Sequence, residues 1–390
     1  MAHAGPEVHW RWLELHDSVS MERKVRTAAG TRQWRIHRSP KPRHSFLDEC
    51  RLHYAAWEGC LDQVKAILER GVPVNCQDPY GWTAVHHASF KGHLMLIKFL
   101  LQTSQVEVNN QDFFNCTPLH CSGQTPLHLA AASGHLGTAR ILLQHLASPN
   151  PQDFHKWTPL HWAVFGGWGD VRELLLDNGA DVEGGKGVGM SPLLLAVLVG
   201  NEAGVRLLLH RGANANMRGP NSRTAMHLCA CSGDKKILQH LLAGGAKVDV
   251  RDGDVASPLH LAARSGSRAV VHLLILNGAG LEDRDNLKMT PLHYSTLRNN
   301  FEAAKLLLHY GADVNAVERL GQTPLYLASE RGHCKVLKVL LDNGADPTIR
   351  SSWRDTAEDV ARAHNQLDVV LLLQQHLAVR MRDKAQDSVE

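Results

Sequence analysis

The sequence has few aromatic residues and no long apolar run. Aromatic side chains make up 6% of its 390 residues, and hydrophobic ones 44%. The longest apolar run, residues 192–199, is far shorter than the roughly 20 residues that a membrane-spanning helix needs. No apolar segment typical of a secretory signal follows Met1. The sequence therefore predicts a protein without a membrane span.

Cysteine pairs with metal-binding or redox spacing are also missing. Eight cysteines are spread over the chain, and none forms a Cys-x-x-Cys pair. In a chain of this length, that pattern is typical of free thiols in a reducing compartment. We therefore predict a cytoplasmic and/or nuclear protein with no metal and no cofactor.

Charge of one sign is concentrated at the N-terminus. Residues 1–45 carry nine Lys/Arg against four Asp/Glu, whereas the whole chain has a formal net charge of only +3. Because this segment is rich in charge and proline, it cannot bury enough apolar surface to form a hydrophobic core. We therefore predict a basic, disordered tail over residues 1–45. The rest is nearly neutral, which argues against nucleic-acid binding over a broad surface.

A 33-residue period runs through the rest of the sequence. Each unit continues after its opening motif with an Ala-rich stretch, a Gly, an apolar run and a Gly-Ala-Asp-Val-like segment. From Thr125 onward every step is 33 residues. The opening motif, Thr-Pro-Leu-His or a close variant, begins at Thr83, Thr125, Thr158, Ser191, Thr224, Ser257, Thr290 and Thr323.

These motifs resemble the ankyrin repeat. The resemblance implies an all-α solenoid of stacked helix-turn-helix units with β-hairpin-like loops. We expect about ten repeats over residues 46–379 and a short tail over residues 380–390. The residues suit that fold, because Thr or Ser caps a helix, Pro fits its first turn, and Gly closes its C-terminus.

One step of the period is too long. Thr83 and Thr125 are 42 residues apart, and the motif at Thr117 is followed at once by a second copy at Thr125. We therefore predict an insertion near residues 117–124, with the helix beginning at the second copy, where Leu-Ala-Ala follows. The insertion is either a tolerated loop or a lengthened finger that contacts a partner.

The 25 histidines raise the question of metal binding or catalysis. One histidine per repeat cannot converge on one ion. Eight of the histidines occupy the fourth place of the motif, namely His53, His86, His120, His128, His161, His227, His260 and His293. The resemblance implies that they form hydrogen bonds within their own turn and to the next repeat. Residues 184–189 are glycine-rich, but Lys186 is followed by Gly rather than Ser or Thr, so nucleotide binding is not predicted. No catalytic set can be assembled, and we predict that the protein is not an enzyme.

The placement of the aromatics is not explained by the repeat. In the ankyrin family, partner contacts come from the hairpin tips and from the first helix near its end. At those places, repeats 6, 7 and 9 offer Arg223, Cys231, Asp254, Arg264, Gln322 and Glu330. Repeats 1–5 instead offer Trp57, Tyr80, Trp82, Phe90, Phe113, Phe114, Phe154, Trp157, Phe165, Met190 and Leu198. We predict that this apolar stripe binds a partner, the alternative being that several rings pack between first helices or against the tail.

These features predict a monomeric, non-catalytic scaffold or adaptor that binds a protein of unknown identity on the concave surface of the array. The alternatives are the substrate-recognition subunit of a ubiquitin ligase and a nuclear or transcriptional regulator of the NF-κB-inhibitor type. Two modifications are also predicted. Ser39 precedes Pro40 and is a phosphorylation candidate, and the resemblance makes Asn315, with Leu307 eight residues earlier, a hydroxylation candidate.

Overall fold

A computed structural model describes residues 45–103, 105–112, 123–185 and 189–387, with side chains through residue 378. The predictions for the basic tail, Ser39, Phe113 and Phe114, and for most of the predicted insertion, lie outside these residues.

The described chain is built from pairs of short helices and contains no β-strand, which confirms the predicted all-α fold. The first helices of the ten pairs are α1 (Phe46–Glu58), α3 (Ala84–Lys91), α5 (Pro126–Ala132), α7 (Pro159–Phe165), α9 (Pro192–Leu198), α11 (Ala225–Ser232), α13 (Pro258–Ser265), α15 (Pro291–Leu297), α17 (Pro324–Glu330) and α19 (Ala357–Ala363). The second helices are α2 (Leu61–Glu69), α4 (Leu94–Gln102), α6 (Leu136–Gln144), α8 (Gly169–Asp177), α10 (Glu202–His210), α12 (Lys235–Ala243), α14 (Arg268–Leu276), α16 (Phe301–His309), α18 (Cys334–Asp342) and α20 (Leu367–Asp387).

The chain divides into two compact units, one ending at His155 and the other beginning at Lys156. In the first unit α1, α3 and α5 pack in order, and α4 packs against α6. In the second unit the first helices pack in order from α7 to α19, and the second helices from α10 to α20.

Small side chains allow the first helices to approach one another closely. Ala88 and Ala130 in the first unit, and Ala196 and Ala262 in the second, are fully buried at these contacts. Leucines fill the space between neighbouring pairs, and each such side chain contributes about 1.5–3 kcal/mol of hydrophobic stabilisation. No pair could bury its apolar face alone, so stability comes from stacking.

The motif residues begin each first helix. Thr125 is the N-cap of α5, and its backbone N–H donates to Nδ1 of His128 at 3.0 Å. The imidazole thereby takes the place of the Glu of a standard capping box. The first and last pairs use a carboxylate instead, with Ser45 capped by Asp48 and Thr356 by Asp359.

The other ring nitrogen of the motif histidine ties several repeats to the next one. Because Nδ1 accepts from a backbone N–H, the proton lies on Nε2 and is donated onward. Nε2 of His227 donates to the carbonyl of Ala256 at 3.1 Å, and the ring of His260 does the same to Met289 at 3.0 Å. The predicted structural role is confirmed for His86, His161, His227, His260 and His293, and His120 lies outside the described residues. The prediction is wrong for His53. Within the described residues its Nδ1 has no hydrogen-bond partner, and its Nε2 lies 3.7 Å from Sγ of Cys76.

The hydrogen bonds around Asp112 locate the insertion. In a regular hairpin the closing bond joins residues four positions apart, as from Asp252 N–H to the carbonyl of Ala256. In the third repeat the corresponding bond runs from Asp112 N–H to the carbonyl of Gln124, twelve positions along. The eight extra residues of the sequence therefore fall between these two bonded residues. The second copy of the motif starts α5, as the sequence predicted.

Candidate functional site

The predicted partner-binding residues differ widely in exposure. Phe154, Phe165 and Leu198 are exposed. Trp57, Tyr80, Trp82, Trp157 and Met190 are half-buried. Phe90 is buried, with only 6% of its surface exposed, so its place in an exposed stripe was predicted wrongly.

Phe90 is buried because it belongs to a cluster of rings in the first unit, which we call the first aromatic cluster: Trp57, Trp82, His87 and Phe90. The Phe90 ring stacks on Trp57 with centroids 5.7 Å apart and lies 5.6 Å from Trp82. His87 lies 5.1 Å from Trp82. These rings pack between α1 and α3. Packing between first helices is the alternative that the sequence left open for several of the aromatic residues.

Polar contacts fix the first aromatic cluster in place. Nε1 of Trp82 donates to Oδ2 of Asp112 at 2.8 Å, and Nε2 of His87 lies 3.1 Å from Oδ2 of Asp78. Burial raises the pKa of Asp112 to about 6, against the hydrogen bonds from Gln124 and Trp82. Burial also acts to raise the pKa of Asp78, but the bond from His87 and its charge hold that pKa below the ordinary value. The cluster is therefore held by contacts within the fold, and Trp82 is not free to act as an isolated surface ring.

A second aromatic cluster in the other unit consists of Trp157, Trp162 and Phe165. The centroid of Trp157 lies 5.1 Å from that of Trp162 and 5.9 Å from that of Phe165. Phe165, at the end of α7, keeps 50% of its surface exposed. Leu198 occupies the equivalent place on α9, which packs against α7, and is 58% exposed. Together with the exposed Val199, they form what we call the Phe165–Leu198 patch.

Met190 lies in the hairpin that precedes α9. Its carbonyl accepts the Nε2–H of His161 at 2.7 Å, and its side chain is half-buried. Met190 is thus positioned in the same two repeats as the Phe165–Leu198 patch by the hydrogen bond that links neighbouring repeats.

Four apolar residues that contribute to these surfaces were missed from the sequence. Trp162 is half-buried in the second aromatic cluster. The other three, Leu287, Leu320 and Trp353, are exposed on the hairpins before α15, α17 and α19. All three precede the capping Thr by three residues, the position that singled out Tyr80. The residue three places before the capping Thr, compared in every repeat, would have identified them. Repeat 9, expected to present the polar Gln322 and Glu330, also exposes Leu320.

Asn315, the predicted hydroxylation site, lies in the loop after α16. Its Oδ1 accepts the backbone N–H of Asp346 at 2.8 Å, and its own N–H donates to Asp313. The side chain is half-buried and links two repeats. Hydroxylation at this position stays a prediction.

Within the described residues, no group of three or more His, Cys, Asp and Glu side chains is arranged to hold a metal ion. In the same part of the chain, none of the helices has the length and apolar character needed to cross a bilayer.

Curated relatives match limited parts of the chain. A probable E3 ubiquitin-protein ligase, XBOS33 of Oryza sativa subsp. japonica, is 36% identical over 100 residues, which are 26% of this chain and 18% of the relative. Ankyrin repeat and SOCS box protein 3 of Bos taurus is 30% identical over 109 residues, 27% of this chain and 19% of the relative. SMC5-SMC6 complex localization factor protein 1 of Bos taurus is 31% identical over 99 residues, 25% of this chain and 8% of the relative. The chain thus spans about a fifth or less of the length of these three relatives.

The repeats themselves match a known family along most of the chain. The family described as Ankyrin repeats (3 copies) matches residues 52–153, 121–184, 183–252, 226–318 and 259–351. Ankyrin repeats imply protein–protein interaction, and the family is typically non-catalytic. Since the matches cover the sequence from residue 52 to residue 351, the chain belongs to the ankyrin repeat family.

Proposed function

We propose that this protein is a non-catalytic scaffold or adaptor that binds a partner protein through the Phe165–Leu198 patch. The observation that carries the proposal is the exposure of two large apolar side chains at equivalent places on adjacent first helices. Trp157 and Met190 flank the patch from the preceding hairpins. Aromatic and aliphatic anchors on a rigid frame are typical of binding hot spots.

Rigidity supports this proposal. α7 packs against α9, and the ring of His161 ties the two repeats together through the carbonyl of Met190. A partner that covers Phe165 and Leu198 would remove their apolar surface from water without having to order a loop of this protein. Little conformational entropy would therefore be lost on binding.

The direct test replaces the two exposed anchors. In a Phe165→Ser/Leu198→Ser variant, we expect the capture of partner proteins by the full chain to fall about tenfold or more, because both anchors are removed. The measurement is quantitative affinity capture from cells that express the wild type or the variant at equal levels.

The matched control is Met95→Ser/Leu276→Ser. These residues are 65% and 61% exposed on the second helices α4 and α14. The proposal holds if the first variant loses partners that the control retains. Identical sets of partners for both variants would contradict it.

A ligase-associated role is the second candidate, and the names of two relatives favour it. Each match is confined to about a quarter of this chain, so the similarity supports a shared binding module rather than shared ligase chemistry. Lifetimes of the captured partners separate the two roles. Longer partner lifetimes after depletion of this protein would favour substrate recognition, and unchanged lifetimes would favour the scaffold. The nuclear or transcriptional role stays a prediction.

A further inference from the structure

Three exposed apolar residues form a row on the hairpins of repeats 8–10, and we call Leu287, Leu320 and Trp353 the hairpin-tip row. They are 48%, 43% and 57% exposed, respectively. They lie in repeats other than those of the Phe165–Leu198 patch, so their function is a separate question.

The backbone holds the hairpin-tip row at a fixed spacing. The carbonyl of Leu287 accepts the N–H of Arg319 at 2.9 Å, and the carbonyl of Leu320 accepts the N–H of Ser352 at 2.8 Å. Each tip is therefore bonded directly to the following hairpin. Helices of successive repeats pack roughly 8–10 Å apart, which sets the spacing of the tips.

The carboxylates of these hairpins turn inward. Asp285 is buried, and its Oδ1 accepts the N–H groups of Leu287 and Met289, both at 2.8 Å. Glu318 is buried as well, and its Oε1 accepts the N–H of Leu320 at 2.7 Å. These negative charges are satisfied by the turn that they stabilise.

The basic side chains of the same hairpins face solvent. They are Arg284, Lys288, Arg319, Arg350 and Arg354. In the described part of the chain, none of them forms an ion pair with a carboxylate. Asp355 is the one exposed acidic residue within the hairpin segments 284–289, 317–322 and 350–355. The row is therefore apolar at its tips and positively charged around them.

Spacing and charge together define what fits this surface. We propose that the hairpin-tip row binds an acidic peptide segment in the polyproline II conformation, with an apolar side chain at every third residue. That helix has three residues per turn and rises about 3.1 Å per residue, so apolar residues recur on one face about every 9 Å. The acidic residues between them meet the exposed cations. Aliphatic tips at two of the three places favour a peptide over a nucleic acid.

The test uses a synthetic probe. A fluorescent acidic peptide with Leu at every third position is titrated with the full chain, and its anisotropy is measured. We expect binding that weakens as salt is raised, because exposed charges are screened. A peptide of the same composition with its Leu residues adjacent should bind at least about tenfold more weakly, since only one tip at a time can be covered.

Two variants separate the apolar and charged contributions. Leu320→Ser/Trp353→Ser should weaken binding of the probe about tenfold or more, and Lys288→Gln/Arg319→Gln should weaken it mainly at low salt. The matched controls are Leu276→Ser and Lys335→Gln/Lys338→Gln, exposed residues on second helices. Thermal unfolding should be unchanged in all of them, and the charge variant serves as the test if the apolar variant unfolds early.

Several results would overturn the proposal. It fails if the wild type does not bind the probe, if both peptides bind equally, or if the variants bind like the controls. Tighter binding of a single-stranded oligonucleotide than of the peptide would assign the surface to nucleic acid instead. The Phe165→Ser/Leu198→Ser variant should bind the probe normally, so failure here is distinct from failure of the proposed function.

Discussion

At the scale of single residues, Trp82 shows why an aromatic ring at a partner-binding position need not bind a partner. Its indole N–H donates to the buried carboxylate of Asp112, and its ring packs on Phe90 and His87. Position in the repeat predicted where Trp82 lies. The hairpin place of Asp112 carries a carboxylate in other repeats too, as at Asp252, so the period alone could not predict its bond, which depends on the indole of Trp82.

The substitution Trp82→Phe removes that N–H and keeps most of the ring. We expect it to lower the free energy of unfolding by about 1–3 kcal/mol, because Asp112 loses a donor in a buried place. Urea denaturation of the full chain measures the change. Trp353→Phe, at an exposed tryptophan, is the control and should change stability by no more than about 0.5 kcal/mol. Equal effects of the two substitutions would show that the bond to Asp112 adds no stability.

At the scale of helices and turns, the glycine that ends a first helix was easy to predict. The contact that such a glycine makes with a histidine of the next repeat was not predicted. Gly92 ends α3 with φ at +77°, in the left-handed region that favours glycine. A Cβ at this place would lie 2.6 Å from the ring of His135 in the next repeat. That ring cannot move aside freely, because its Nε2 donates to the carbonyl of Phe90 at 2.9 Å.

Comparison of Gly92→Ala with Gly71→Ala isolates this contact. Gly71 also has a left-handed backbone, with φ at +88°, but a Cβ there meets nothing within 4 Å. Both substitutions should cost about 1–2 kcal/mol of backbone strain, and Gly92→Ala should cost more because it displaces His135. Chemical denaturation of both variants provides the measurement. A smaller loss for Gly92→Ala than for Gly71→Ala would contradict the contact.

At the scale of the whole molecule, the motif histidines couple stability to pH. Burial lowers the pKa of His86, His161 and His293 to about 4, well below the value of about 6.5 in an unfolded chain. The folded state keeps these rings neutral, whereas the unfolded chain binds protons on them below about pH 6.5. Their contribution to the free energy of unfolding is therefore fully present above about pH 6.5 and is lost as the pH falls toward about 4. Asp112, whose pKa is raised, acts in the opposite direction and offsets a small part.

We expect the free energy of unfolding to fall over that range, by up to about 1.4 kcal/mol per pH unit for each such histidine. Urea denaturation over a series of pH values measures the slope. In His293→Leu, which copies the buried Leu194 of repeat 5, the slope should be shallower. His309→Gln, at an exposed histidine, should leave it unchanged. A slope unaffected by His293→Leu would show that these rings do not cause the pH dependence.

The fold was largely predictable from the sequence, and the candidate site was not. The period predicted the helix pairs and the role of the motif histidines, because each depends on residues within one repeat or its neighbour. Exposure depends on how adjacent repeats differ. Phe90 is buried because Trp57 and Trp82 flank it, and Leu320 is exposed at a hairpin tip whose turn is stabilised by a buried carboxylate.

The hydrogen bonds that the motif histidines make between repeats run one way. Motif rings such as that of His227 donate forward, to a carbonyl in the hairpin of the repeat that follows, here that of Ala256. As the chain leaves the ribosome, a newly made repeat therefore carries a donor whose acceptor has not yet been synthesised. Ordering should lag translation by one repeat wherever the motif carries a histidine, and the pairs with Leu194 or Asp359 at that place lack the dependence.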